Sequence, residues 1–393
     1  MNKMIDKTLK QRKDESFLLW KMRLCYGKIN HVEPYNISWD DMVKVLNLNV
    51  HPDTLRKLGY AYAETYEELI LEGNGETKEL KQMILDMKKE KVKLSDERKE
   101  CNRQIRELGR IESLSQLLLK NMDNLTPLKN SPSIEISNDS NEGVLMLSDI
   151  HYGLEINTPL NTYGIDESRK RIKILVEKVS NECERQDVNI LHIFCLGDLI
   201  SGVIHNTIRL LNRELLTEQI IHISEIISEI IEIFSKKMIV KVYIVQGNHE
   251  RIFEKDNNLS KENYTELIKY YVKNRVKNLV NVEFKDTFNE EILIADIKGY
   301  KFIGCHGDKL NKKQAGYELM GVTGVSPNYI CLGHYHVGET FMEYEVPIFI
   351  NGCVCGTDEY AYNKKLYAYA TQKLLIVNNN GVECCYDFVL NKK

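Results

Sequence analysis

No apolar run in this 393-residue chain approaches the roughly 18–20 residues needed to span a bilayer. The first residues, Met1 to Lys13, alternate charged and apolar side chains and lack the apolar core of a secretory leader. Neither sign of charge is in excess. With 53 Lys+Arg against 57 Asp+Glu the formal net charge is -4, so nucleic acid or an anionic membrane would have to be met by a local basic patch. Ten cysteines without a leader read as reduced thiols of a cytoplasmic protein rather than a disulfide framework. Tryptophan is scarce: Trp20 and Trp39 are the only two, both near the N-terminus. Of the ten histidines, only His31 and His51 precede residue 150. The 43% hydrophobic content excludes wholesale disorder, and the length suggests two domains, or one large domain with an appendage.

Residues 1–75 read as a small helical domain. Ser38 is a candidate N-cap for a helix running from Trp39 to Leu46, with Asp40 and Asp41 favourable in its first turn. A polar turn follows, and Pro52 suits the first position of a second helix that exposes Arg56 and Lys57. This spacing resembles a helix-turn-helix DNA-binding unit, although a plain helical interaction domain shares it. Residues 76–120 are charged and free of proline. Leu80, Ile84, Met87, Leu94, Cys101, Ile105 and Leu108 recur at a spacing of three to four, interrupted by Lys91 and Arg98, which predicts a long helix or coiled coil able to mediate self-association. Residues 121–142 are rich in Asn, Ser and Pro and read as a linker.

The pattern changes from residue 143 to 393. Strands are expected at Val144–Leu147, Ile190–Leu196 and Ile239–Val245, with helices at Arg169–Glu184 and Arg209–Lys236 between them. This is the alternation of an α/β layered core. Beyond Glu290, strand-like runs dominate, ending in a hairpin whose turn is Asn378-Asn379-Asn380-Gly381. Five short motifs follow such strands: Ser148-Asp149-Ile150-His151, Gly197-Asp198, Gly247-Asn248-His249-Glu250, His306-Gly307-Asp308 and Gly333-His334-Tyr335-His336. Ligands gather at the carboxyl ends of strands in open α/β sheets, so the five can converge. Their oxygen and imidazole donors suit Mn, Fe, Zn or Ni rather than an all-oxygen Mg or Ca cage. Cys353-x-Cys355 and Cys384-Cys385 could bind a soft metal, but with no second pair at zinc spacing they are expected to be buried thiols in strands.

In this order the five motifs resemble the calcineurin-like metallophosphoesterase superfamily, whose pattern runs D-x-H, G-D, G-N-H-[DE], H, G-H-x-H. The resemblance implies a four-layered αββα sandwich and a two-metal centre, manganese being the first expectation. It implies that Asp149, His151, Asp198 and His336 hold one ion, and that Asp198, Asn248, His306 and His334 hold the other. By the same resemblance His249 acts on the leaving group or the phosphoryl charge, and Glu250 orients His249 or shapes the site. Gly197-Asp198-Leu199-Ile200-Ser201-Gly202 lacks the Asp-Arg pair of the phosphoprotein phosphatase branch. The late Gly-His-x-His instead fits the branch of DNA repair nucleases and small phosphodiesterases, as found in bacteria and phages. The expected function is therefore metal-dependent hydrolysis of phosphodiesters in DNA, in a bacterial cell or a phage-infected host. The alternatives are a small-molecule or cyclic-nucleotide phosphodiesterase, a phosphomonoesterase, or a DNA-binding assembly protein with a vestigial metal site. His205 and Asn206 are candidate substrate contacts. Arg56-Lys57, Lys309 with Lys312-Lys313, and Lys364-Lys365 are candidate phosphate contacts.

Overall fold

A computed structural model describes residues 7–73, most of 89–106, isolated positions between 109 and 134, 140–204, 206–252, 262–358, 361–362, 367 and 369–391. The chain divides into two compact units, Met1–Glu107 and Leu108–Lys393.

In the N-terminal unit, α1 (Phe17–Ile29), α2 (Trp39–Val45) and α3 (Pro52–Gly73) surround a small core of Leu9, Leu24, Cys25, Met42, Leu46 and Leu55. Ser38 caps α2 as its side chain predicts, accepting from the Asp41 N–H at 3.1 Å. Pro52 opens α3. Gly59 leaves room for the Trp39 ring, which a side chain there would strike at 2.6 Å. Arg23, buried on α1, is satisfied by a two-pronged bond to Glu15 at 2.6 and 2.8 Å and by the carbonyls of Thr8 and Lys10. The connection between α2 and α3 spans residues 46–51, longer than the three- to four-residue turn usual in helix-turn-helix units. Of the predicted seam in 76–120, Leu80, Ile84, Met87, Lys91 and Leu108 lie outside the described residues. The described part is helical, with Leu94 and Ile105 exposed.

The second unit is a mixed α/β sandwich of four layers. Its first sheet has the order β13-β12-β1-β4-β5-β6 and its second β10-β11-β9-β8-β7. Strands β1 (Asn141–Leu147), β4 (Val188–Leu196), β5 (Ile239–Val245) and β6 (Val282–Phe284) run parallel. Antiparallel β12 (Thr371–Asn378) and β13 (Gly381–Val389) complete that sheet. The second sheet comprises β7 (Ile292–Ile297), β8 (Tyr300–Cys305), β9 (Tyr329–Leu332), β10 (Glu339–Glu343) and β11 (Val346–Ile350). A short ribbon of β2 (Ile156–Asn157) and β3 (Thr162–Tyr163) stands apart from both.

Burial on both faces explains the unbroken apolar runs of the central strands. Val144 and Met146 of β1 point between the sheets with Phe194, Leu196, Phe302 and Phe349, while Leu145 and Leu147 point outward to helices. Those helices are α4 (Ile165–Arg185), α6 (Leu216–Ser235) and α7 (Thr265–Val276). Each turns an apolar stripe inward, as α6 does with Ile220, Ile223, Ile227, Ile230, Ile231 and Phe234. On the far side α8 (Ala315–Thr323) covers the second sheet through Ala315 and Leu319.

The single helix expected over Arg209–Lys236 is in fact two. A short α5 (Asn206–Leu211) ends before Leu216, because the chain between them is bound elsewhere. Asn212 donates to the Gly202 carbonyl at 2.6 Å and the Arg213 N–H donates to the Gly153 carbonyl at 2.9 Å. Glu218 then restarts the helix by accepting the Leu215 N–H at 2.8 Å. Cys353 and Cys355 are buried as expected but lie on the loop after β11, not in a strand. In the β13 pair, Cys384 is half-buried and Cys385 exposed, so that part of the expectation fails because β13 is a sheet edge.

Phe194 joins the two sheets, ring against Tyr243 at 5.1 Å and Phe302 at 6.5 Å. Phe194→Ala should cost about 3–5 kcal/mol, read from urea unfolding of the full chain. A loss below about 1 kcal/mol would mean that the two sheets are not packed through this ring.

Candidate metal centre

All five motifs meet at the carboxyl ends of β1, β4, β5, β8 and β9. The donors sit just past their strands, where the chain must reverse to cross the edge. Asp149, His151, Asp198, His334 and His336 all adopt left-handed backbone, with φ of 52°, 48°, 51°, 70° and 60°. Asp and His tolerate this region better than most residues, yet each such turn costs on the order of 1 kcal/mol. Five of them in one place mark a site whose donor directions outweigh local comfort.

The donors form two groups that share Asp198. In the first, Nε2 of His151 and Nε2 of His336 are 3.0 Å apart, and His336 Nε2 lies 3.5 Å from Asp149 Oδ1. In the second, His306 Nε2 lies 3.1 Å from Asn248 Oδ1, 3.2 Å from His334 Nδ1 and 3.2 Å from Asp198 Oδ2. Asp198 Oδ2 also lies 3.8 Å from His151, so this carboxylate stands between the groups. Lone pairs of nitrogen and oxygen converge here with only titratable protons to separate them. Cations fit that arrangement, and the donor chemistry suits a borderline divalent ion.

Bonds to backbone aim the donors. The His334 N–H donates to both oxygens of Asp149 at 3.1 Å, and the His249 N–H donates to Asp198 Oδ1 at 2.9 Å. The Leu196 carbonyl accepts from His306 Nδ1 at 2.8 Å, leaving Nε2 for the centre. Glu250 is fully buried, and its carboxylate accepts the N–H groups of Gly247, Asp198, Leu199 and Ile200 at 2.9, 3.0, 2.6 and 3.3 Å. It therefore shapes the turn that carries Asp198 and makes no bond to the His249 ring. That ring is held instead by the Ser201 carbonyl, 2.7 Å from Nδ1. Glycine is required where these turns interlock. A side chain on Gly197, at φ +82°, would strike Gly247 N at 2.4 Å, and one on Gly247 would strike Asp198 Oδ1 at 2.2 Å.

Behind the centre, Asn351 and Gln372, both fully buried, tie β1, β11 and β12 together. Asn351 donates to the Met146 carbonyl and to Ser148 Oγ, while Gln372 accepts the Ser148 N–H and donates to the carbonyls of Ser148 and Gly352.

The protonation pattern of the metal-free site follows from crowding. Burial pushes Asp149 up to about 6, and it pushes His334 down to about 4. Burial alone would raise Asp198, but the imidazoles of His306 and His249 hold it well below the usual carboxylate range. Burial alone would lower His306, but Asp198 raises it to about 10. Burial opposes the rise at His336 too, which Cys353 and Asp149 nonetheless carry to about 10.

Of the other sites expected from sequence, His205 lies outside the described residues, and Asn206 begins α5 with its side chain undescribed. Lys364 and Lys365 also lie outside them. Arg56 and Lys57 are exposed on α3 in the separate N-terminal unit, Arg56 paired with Asp53 at 3.1 Å. Lys309 and Lys312 pair with Glu291 and Glu339, and Lys313 is exposed. A cleft beside His306 is lined by Gln246, Arg251, Asp308 and Lys309, with Arg251 paired to Asp308. Two residues that sequence reasoning did not place here are Ser201, through its carbonyl, and Cys355, whose sulfur groups with His151 and His336. The only signal for the latter was the Cys-x-Cys spacing.

The family model described as calcineurin-like phosphoesterase matches residues 143–338. Solved structures similar to this chain include an archaeal phosphodiesterase, 13% identical, covering 63% of this chain and 99% of its own, with a TM-score of 0.33. Another is wild-type Vps29 complexed with zinc from Entamoeba histolytica, 12% identical, covering 63% and 99%, at 0.31. A predicted phosphoesterase from Streptococcus pneumoniae is 11% identical, covering 64% and 98%, at 0.27. No curated protein matches.

Glu250→Gln keeps shape but sets an amide N–H2 against backbone donors, so metal affinity should fall by about 10–100-fold in a chelator competition. Unchanged affinity would show that the Asp198 turn holds without the carboxylate. The His306 pKa is raised, so the stability it draws from Asp198 is complete below the unfolded value of about 6.5 and is lost as pH climbs toward about 10. Imidazole must give up that proton to bind metal. Loading a divalent ion at pH 8 in a pH-stat should therefore release at least about one proton per chain, and none released would contradict the charge state.

Proposed function

The chain belongs to the calcineurin-like phosphoesterase superfamily of metal-dependent phosphoester hydrolases, and on that premise we propose that it is a phosphodiesterase acting on DNA. The observation that carries the phosphodiesterase reading is the pair of donor groups sharing Asp198, with the His249 ring alongside, edge to the His151 ring at 4.5 Å. Asp149, His151, Asp198 and His336 would hold one ion, and Asp198, Asn248, His306 and His334 the other. Divalent ions bound there supply the Lewis acidity that activates water and offsets charge on phosphoryl oxygens.

The chain's own residues do the rest. The Ser201 carbonyl keeps the neutral His249 proton on Nδ1, which turns Nε2 toward the centre, 3.9 Å from Asp198 Oδ2. From there Nε2, once protonated, is placed to deliver a proton to the leaving oxygen. Glu250 acts as a positioning residue through the backbone of Asp198. DNA as substrate is supported by the separate helical unit, which exposes Arg56 and Lys57 on α3, and by Arg251 and Lys309 beside His306 as phosphate contacts. Self-association through the helical segments that contain Leu94 and Ile105 is supported by the exposure of both side chains. A specific observation favours a second reading, a small phosphodiester or a phosphomonoester: Arg251 and Lys309 are each neutralised by a carboxylate, Asp308 and Glu291.

The test is hydrolysis of bis-p-nitrophenyl phosphate, p-nitrophenyl phosphate, and labelled single- and double-stranded DNA with added Mn2+. The diester and DNA should be cleaved. Asp198→Ala should lose both activity and metal, whereas His249→Ala should lose about 10²–10⁴-fold in rate with its metals retained. Cleavage of the monoester alone would overturn the DNA reading, and full activity in Asp198→Ala would overturn the shared-carboxylate mechanism. DNA binding without hydrolysis of any ester would leave a vestigial site.

A further inference from the structure

The donor set carried by the five motifs contains oxygen and nitrogen but no sulfur. The fold adds one. The loop leaving β11 brings Cys355 Sγ into a group with a ring nitrogen each of His151 and His336, all within 4.8 Å of one another. An ion bound with bonds of about 2.0–2.3 Å would draw the three atoms closer together. Among the described cysteines no other joins such a group.

Several bonds hold this loop on the metal side of the sheet. The Val354 N–H donates to the Asp149 carbonyl at 3.0 Å, locking the loop to the first metal-binding motif. Arg171, buried on α4, donates to the carbonyls of Val354 and Cys355 at 3.0 and 2.8 Å. Asn161, also buried, donates to those of Cys355 and Thr357 at 2.7 and 2.9 Å. The carbonyls of Val354, Cys355 and Thr357 are thus fixed by side chains from another part of the sequence. The Cys353 sulfur accepts the Gly356 N–H at 3.2 Å and also meets the His336 imidazole, while the Cys355 sulfur donates to the Gly356 carbonyl at 3.5 Å. A free buried cysteine ordinarily serves as a small apolar filler. Filler requires neither two imidazoles at its sulfur nor a buried arginine and asparagine on the carbonyls around it.

We propose that Cys355 is a thiolate ligand of the ion held by Asp149, His151 and His336, and that this position selects zinc or ferrous iron over manganese. The proposal rests on the two-metal reading above and adds to it the identity of one donor and the softness of one site. Thiolate favours zinc and iron, whereas all-oxygen and imidazole sites admit manganese readily. The two ions would then differ, one position soft and the other, around Asn248 and His306, hard.

Zinc-edge X-ray absorption on the zinc-loaded full chain tests this without relying on activity. The wild-type protein should bind two zinc ions and show a sulfur shell at about 2.3 Å, averaging about half a sulfur per zinc. Cys355→Ser should lose that shell and bind zinc at one position at least about tenfold more weakly, while Cys353→Ser should keep both. Two bound zinc ions with no sulfur shell in the wild-type protein would overturn the thiolate proposal and leave the two-metal reading intact. Loss of the shell in Cys353→Ser but not Cys355→Ser would overturn it too. Failure of the folded wild-type chain to take up zinc would overturn both readings.

Discussion

One buried carboxylate organises the donor-bearing edge of the second unit. Glu250 gathers four backbone N–H groups from two turns that follow different strands, β4 and β5. Leaving those donors unpaired in a dry interior would cost several kcal/mol in total. The carboxylate removes that cost and locks the turns together at a distance only glycine permits, at Gly197 and Gly247. Asp198 inherits its position from this clamp, His249 is tied to Asp198 through its own N–H, and both donor groups are measured from Asp198. Burial of Glu250 pushes its pKa up to about 7, while the Asp198 and Gly247 N–H groups pull the other way. The clamp thus works against desolvation and succeeds through the number of bonds it collects.

The layered fold was legible because strands buried on both faces read as unbroken apolar runs, as in Val144 to Leu147 and Ile239 to Val245. The donors were legible because short motifs at strand ends need no knowledge of what packs against them. Where tertiary contacts decide the local structure, the sequence was opaque. The helix expected from Arg209 to Lys236 breaks at Asn212 because Gly202 and Gly153 claim the chain there, a bond no periodicity reveals. Helix α7, behind β5, and the edge strand β10 went unread for the same reason, since their partners supply half the signal. Cys355 is the sharpest case. Its Cys-x-Cys spacing read as a pair of buried thiols, and only the packing of the β11 loop on Asp149 carries it to the imidazoles.

The uneven spread of rare residues also gained a physical meaning. Five of the ten histidines converge on one edge of two sheets, while His192 and His222 are engaged with Glu142 and Glu214 away from it. Both tryptophans pack in the small helical unit, Trp39 against Gly59 and Trp20 donating to the Leu9 carbonyl. The N-terminal unit thus uses its scarce side chains to hold a minimal core, whereas the C-terminal unit uses its own to assemble charge in the interior.

The left-handed turns at Asp149, His151, Asp198, His334 and His336 set stability and function against each other. Glycine at any of these positions would relieve the backbone and remove a donor in the same step. A library screened for thermal robustness alone would therefore drift toward glycine at the very residues proposed to hold the ions. Five strained, non-glycine turns along one edge are a backbone cost that folding by itself does not repay.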